Sequence, residues 1–323
     1  MRTRTQLSLA SPGVALLALF FALPVLAVAV DALREGGAAF VRVFGTSGFW
    51  TALGGSAALT LVAATLSTLV GVAVALYLSR LAPHRRTALS FVIALPLTFS
   101  GLIVAYGFIL GYGRAGFVTQ LLARAGFNAA TIGGALFTPT GLAFASSYYL
   151  IPRVVIGMLP VLVNFDRAQL AAAESLGATP AQAFRQVLLP QIAAPVIASF
   201  CLVAAVVFGA YGTALALVGT QLPILPLRLY SLISETGSDF PAAAALALLI
   251  TAVCSTIITT GEWVGAKHER HLFALFCERI QPHLRLGVFA PLCDEPLIRD
   301  VHSTLVYRPV LRELFEDGDV FFG

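Results

Sequence analysis

Six stretches of this chain stay apolar for roughly twenty residues each, the length a helix needs to cross a bilayer, with short polar segments between them. They run from Pro12 to Val30, Leu53 to Leu78, Ala88 to Leu110, Gly141 to Val163, Ile192 to Val218 and Ala242 to Gly261. At ~1.5 Å per residue, an α-helix of that length matches a hydrocarbon core ~30 Å thick. The pattern predicts an all-α, polytopic membrane helix bundle of about six transmembrane helices. The first run follows Met-Arg-Thr-Arg. Its length exceeds the ~7–15 apolar residues of a cleavable signal, so an uncleaved anchor is expected.

Composition agrees with that picture. Hydrophobic residues make up 58% of the chain and charged ones 11%, at a mean hydropathy of +0.89. A soluble domain of this size could not cover itself with so few charges. Before His271 there are 15 Lys and Arg against 8 Asp and Glu, net +7. From His271 on there are 5 against 8, net −3. The body is therefore basic and residues 271–323 form a charged tail, either a small regulatory appendage or an extension. His271 to Gln281 reads as one short amphipathic helix ended by Pro282, and later prolines interrupt any longer one.

The basic residues also orient the chain. Arg2 and Arg4, the cluster Arg80, His84, Arg85 and Arg86, then Arg167 and Arg185, and finally Lys267 and Arg270 fall on one side by span counting. By the positive-inside rule that side is the cytoplasm, and both termini lie there. Trp50 and Trp263 sit at span ends, where indole rings favour the interface. No Lys/Arg stripe suits a nucleic acid. Cys201 and Cys254 lie in apolar runs, and Cys277 and Cys293 lack metal-ligand spacing, so no metal site is expected.

One connecting segment is patterned. Residues 164–190 open with an Ala-, Leu-, Gln- and Glu-rich half that ends on Gly177, a residue suited to the position after a helix. Thr179-Pro180 then supplies an N-cap and a proline at the first helical position, and the second helix is expected to stop at Pro190. Two short helices with a tight elbow, exposed to the cytoplasm, make a docking element. Ala171, Ala172 and Ala173 would let another backbone approach closely.

This segment resembles the EAA loop of inner-membrane permeases from binding-protein-dependent ABC importers, the MetI-like type. That loop reads Glu-Ala-Ala, three residues, Gly, nine residues, then Ile-x-Leu-Pro. Ala172 and Ala173 take the two Ala positions, Gly177 the Gly, and Val187, Leu188, Leu189 and Pro190 the closing motif. The Glu position holds Ala171, with Glu174 one helical turn on. Phe208-Gly-Ala-Tyr-Gly-Thr213, Ile224–Tyr230, Pro241–Leu246 and Leu95–Gly101 are also similar, so the likeness covers about residues 50–265.

The resemblance implies a permease domain over residues 1–270 in a bacterial inner membrane, in contact with lipid, that forms the substrate path. It implies a separate ATP-binding subunit, a second permease copy or paralogue, and a periplasmic or lipid-anchored solute-binding protein. The coupling residues would be Ala171, Ala172, Ala173, Glu174, Gly177, Val187, Leu189 and Pro190. Ala210 stands where many members carry an acid, which leans away from the oxyanion carriers. Polyamine, phosphonate, ferric iron and thiamine remain the substrates considered.

The remaining chemistry fits a subunit without catalysis of its own. Lys267 is the chain's single lysine and has no Gly-rich loop before it, so a P-loop is excluded and ATP with Mg²⁺ belongs to a partner. The alternative is an ion-coupled secondary transporter, but the six runs hold no Asp, Glu or His to carry a proton or ion. A membrane-embedded enzyme lacks its Ser/Lys dyad, paired acids or HExxH motif. Arg153 is the one charge deep in a run, either a path residue or a structural one bonded to carbonyls or snorkelling. Ser100, Tyr148 and Tyr211 complete the candidate path, with packing and interface roles as their alternatives.

Overall fold

The computed structural model describes residues 12–13, 15–16, 18–234 and 239–280, with side chains as far as Lys267, Thr220 excepted. All regular structure among the described residues is helical. Five helical segments are long and apolar enough to cross a membrane: Ser47–Ser79, Gly101–Arg124, Pro139–Val163, Pro180–Phe208 and Phe240–Lys267. The shorter apolar stretch Ala18–Leu33 covers most of the described part of the first predicted span. It opens with a π turn, continues as α1 (Leu23–Leu33), and leads to α2 (Ala38–Gly45).

The chain divides into two compact units, Met1–Phe165 with Ala198–Gly261, and Asp166–Ile197 with Glu262–Gly323. The first is built on α3 (Ser47–Ser79) and α8 (Pro139–Val163), which pack along each other. Their facing positions are small: α3 buries Ala63, Ala64, Ser67, Gly71 and Ala75, and α8 buries Ala145, Ser146 and Ser147. Lipid supplies no hydrophobic push between helices, so close backbone approach and polar contacts hold them instead. Ser67 Oγ donates to Ser147 Oγ at 3.4 Å, and Ser56 Oγ accepts from the Leu225 N–H at 2.9 Å. Two apolar clusters complete this unit. One gathers Phe49, Phe208, Leu225 and Leu246, the other Leu136, Leu142, Leu217 and Leu227.

Two predicted spans are not continuous helices. The run from Ala88 to Leu110 is split into α4 (Pro83–Ala94) and α5 (Gly101–Tyr112), with a 3₁₀ turn at Leu95–Thr98 and extended backbone at Phe99 and Ser100 between them. Pro96 interrupts the first helix, and Ser100 caps the second by accepting the Ile103 N–H. Short helices follow at α6 (Phe117–Arg124) and α7 (Ala129–Ala135). The run from Ile192 to Val218 is likewise broken after Phe208, and a new helix, α12, starts at Gly212 and ends at Val218. Hydropathy cannot register either break, because both gaps are made of small or apolar residues.

The second unit contains α9 (Ala168–Ser175) and α10 (Pro180–Ala183). Here the structure corrects the expectation that a helix stops at Pro190. A π turn at Phe184–Leu188 carries α10 straight into α11 (Leu189–Phe208). The Leu189 N–H reaches back five residues to the Phe184 carbonyl. That wider turn accommodates a proline whose ring would clash with the carbonyl four residues before it. The short tail helix is corrected too: after α13 (Leu225–Ser234), α14 runs unbroken from Phe240 to Ile280, so 271–280 extends the last span. The remainder of the tail, with Cys293, lies outside the described residues.

Candidate functional site

The two helix breaks meet. Phe99, Ser100, Gly101 and Leu102 at the start of α5 line a cleft of about 330 Å³, together with Ala210, Gly212 and Thr213 beyond α11. Tyr149 and Arg153 of α8 form its remaining polar wall. Close packing at the breaks depends on Gly101, where a Cβ would collide with Thr213 Oγ1. Pro152 precedes Arg153 and removes one backbone hydrogen bond from α8 beside the cleft.

The cleft is rich in donors. Arg153 is half-buried and makes no ion pair among the described residues. Thr213 is 2% exposed and Tyr149 8%, and neither side chain has a hydrogen-bond partner among the described residues. No lining residue is acidic.

Of the four path candidates, Ser100 and Arg153 line this cleft and Tyr148 and Tyr211 do not. Tyr148 is exposed and packs edge-on to Phe108 in an aromatic group that includes Tyr112 and Phe144. The Tyr211 ring lies 5.5 Å from that of Tyr230. In sequence Tyr149 ranks with Tyr106, Tyr112, Tyr148 and Tyr211 and is set aside as an interface anchor, and Thr213 is not considered as a path residue. Polarity signals little in a chain with many Thr and Tyr, and only the meeting of distant breaks picks these two out.

The second candidate region is the elbow of residues 164–190, where local capping sets every turn. The Asp166 carboxylate accepts the Ala168 N–H at 2.9 Å, at the start of α9. At its end Gly177 adopts φ +91°, a left-handed conformation that a Cβ penalises. The Gly177 N–H donates to the Glu174 carbonyl and the Ala178 N–H to that of Ala173, the two bonds of a Schellman cap. Thr179 then forms a capping box with Gln182: the Thr179 N–H donates to Gln182 Oε1 at 2.8 Å, and the Gln182 N–H to Thr179 Oγ1 at 3.4 Å. Gln191 Nε2 donates to Gln169 Oε1 at 2.7 Å and ties the two arms.

The elbow leaves Ala171, Ala172, Glu174 and Gly177 exposed and Ala173 half-buried. Beyond it Leu189 is exposed, and Val187 and Pro190 are half-buried. Leu176, which residue type alone did not single out, projects at the tip with 90% exposure.

Comparisons with known proteins place the chain in a lineage. A family model described as binding-protein-dependent transport system inner membrane component matches residues 67–270. The chain is 29% identical over 249 residues to the chloroplastic sulfate permease 2 of Chlamydomonas reinhardtii, which covers 76% of this chain and 64% of that protein. It is 28% identical over 250 residues to the sulfate transport system permease protein CysW of Synechocystis, 75% of this chain and 88% of the relative. Its fold is similar to that of a chain in a bacterial alginate ABC transporter bound to an alginate-loaded periplasmic protein. The TM-score is 0.64 at 18% identity, over 80% of this chain and 93% of that one.

Proposed function

The chain belongs to the binding-protein-dependent transport system inner membrane component family, and on that premise we propose that it is the permease subunit that lines a solute path in an ATP-driven importer. Its own residues carry no hydrolysis; ATP and Mg²⁺ bind a separate ATP-binding subunit. That subunit docks on the elbow of residues 164–190. A second permease, identical or paralogous, completes the path, and a periplasmic or lipid-anchored binding protein delivers solute to it.

The observation that carries this reading is the elbow. Its helix ends, turn glycine and closing Leu-Pro fall on the spacing of the family's docking loop, and it presents Ala171, Ala172 and the fully projecting Leu176 outward. Small exposed residues on a rigidly capped turn let a partner's surface come close, and an exposed leucine offers it an apolar anchor. The departure at Ala171 leaves Glu174 as the acid nearest that surface, and we assign it the polar contact with the ATPase.

The cleft supplies the path. Polar groups within a membrane segment are expensive and concentrate where water or solute passes, and backbone irregularity at that depth is tolerated where it lines a cavity. Arg153 and the broken helices at Ser100 and Gly212 meet both conditions.

The test is co-purification. The full chain, tagged and extracted gently from its native membrane, is expected to bring down a P-loop ATPase in near-equal amount. Replacing Ala172 and Gly177 by glutamate should remove the ATPase and leave the permease folded. If no ATPase accompanies the wild-type chain, the reading fails, and an ion-coupled carrier takes its place.

A further inference from the structure

We propose that the cleft is an anion-coordination site, in which the Arg153 guanidinium, the Tyr149 and Thr213 hydroxyls and the Gly101 and Leu102 amides hold the charged oxygens of a phosphate, phosphonate or sulfate group. The proposal rests on the reading of this cleft as part of the solute path and names the class of solute that the path accepts.

Each group brings a donor without an acceptor. Arg153 offers five N–H donors in a planar fork that suits an oxyanion, and no carboxylate among the described residues pairs with it. Tyr149 and Thr213 are more than nine-tenths buried, line the cleft and have no hydrogen-bond partner among the described residues. Their hydroxyl oxygens are not among the fully buried atoms left unpaired, so they stay open to a ligand, whereas an uncompensated cation inside a membrane segment is costly. One anion relieves that cost and accepts from both hydroxyls.

The backbone adds to this. At the start of the twelve-residue helix α5, the Ser100 hydroxyl takes the Ile103 N–H and the Ser100 carbonyl takes the Val104 N–H. The N–H groups of Gly101 and Leu102 precede the first helical bonds and have no acceptor among the described residues. The helix dipole puts partial positive charge at the same place. No Asp or Glu lines the cleft, and Ala210, whose lack of an acid leaned in sequence away from oxyanion carriers, here keeps a repelling carboxylate out. A polyamine or ferric ion would meet Arg153 with nothing to offset the repulsion.

Phosphate oxygens reach such a site from two sources, a transported solute or an anionic lipid headgroup, and the test separates them. The full chain is co-purified with its ATPase and placed in nanodiscs of phosphatidylcholine alone. Binding of radiolabelled sulfate, inorganic phosphate and methylphosphonate is then measured. We expect saturable binding of at least one of the three. Thr213→Val should weaken it about tenfold, the scale of one hydrogen bond to a charged group. Arg153→Gln should abolish it, with Arg153→Lys in between. Ala210→Asp, which places a carboxylate in the cleft, should abolish it as well.

In a parallel arm, nanodiscs containing phosphatidylglycerol are analysed by native mass spectrometry. Lipid retained by the wild type and lost in Arg153→Gln, without binding of the three solutes, would keep the anion site and assign it to a headgroup. Absence of all four ligands, or binding that Arg153→Gln leaves unchanged, overturns the proposal. ATPase co-purification is scored on the wild type and on every variant. If the wild type keeps the ATPase but binds none of the four ligands, the permease reading stands and this inference falls.

Discussion

At Arg153 a charge is held inside an apolar helix where an alanine or leucine would pack at no electrostatic cost. It lies beside Pro152, against a cleft edged by Gly101 and Thr213. Gly101 is the tightest point of that edge. Gly101→Ala should destabilise the complex by about 1–3 kcal/mol, the range for overpacking a filled site. Adding Thr213→Ala removes the atom in the way and should restore at least half of the lost thermal stability. Were the double variant no more stable than Gly101→Ala, the Gly101–Thr213 contact would not be the cause. Gly177 is a different case, since nothing crowds it and φ +91° alone demands glycine. Gly177→Ala is expected to cost about 1–2 kcal/mol of local stability, read as faster amide exchange across Leu176–Thr179 with the spans unaffected.

Elements differ in how openly the sequence announces them. The elbow was legible because caps are local: Gly177 after an alanine-rich stretch and Thr179-Pro180 before the next each specify one turn. Thr179→Ala should remove the bond that Thr179 Oγ1 accepts from the Gln182 N–H while the residue-179 N–H still donates to Gln182 Oε1, costing about 1 kcal/mol, and should lower ATPase retention under stringent washing. Unchanged retention would mean that the partner imposes the turn by itself. The proline at 190 misled for a physical reason. A proline ends an α-helix by clashing with the carbonyl four residues back, and a π turn relieves that clash without ending anything. Pro190→Ala should let Phe184–Leu188 return to α geometry and rotate the elbow by about one residue, roughly 100° of helix turn. Cysteine cross-links between Leu176 and the ATPase would report the rotation as a shifted set of partners. The helix breaks were illegible for the opposite reason. Averaged over a span, Phe99-Ser100 and Gly209–Tyr211 look like any other apolar stretch, and only the Ser100 cap marks one of the two breaks.

In the whole molecule, the class was written in composition and period, while the cleft was not. A chain that is 58% hydrophobic with six long apolar runs has few folds open to it. The cleft brings residue 100 to residues 153 and 213, and no local pattern encodes meetings across fifty or a hundred positions. One long-range ion pair is equally invisible to any local pattern. Arg42 bonds Glu35 and, at 3.2 Å, Asp239, so two connecting segments of the first unit are tied through exposed charges. The hydrogen bond to Glu35, followed by that to Asp239, pushes the Arg42 guanidinium further up, and it stays charged at every working pH. Exposed pairs are screened by salt, so Arg42→Glu should lower the melting temperature slightly at low ionic strength and leave it unchanged at ~1 M salt.

If an ATPase docked on the elbow drives passage through the cleft, as proposed, then access to the cleft changes with nucleotide. Ser100→Cys, made in a chain whose four cysteines are replaced by serine, places a thiol at the cleft's edge in the complex reconstituted in nanodiscs. The measurement is its rate of reaction with a membrane-impermeant maleimide, without nucleotide and after trapping with ATP and vanadate. A change of at least tenfold between the two states is expected, abolished when Gly177 is replaced by glutamate. An equal rate in both states, in a complex that still hydrolyses ATP, would contradict it.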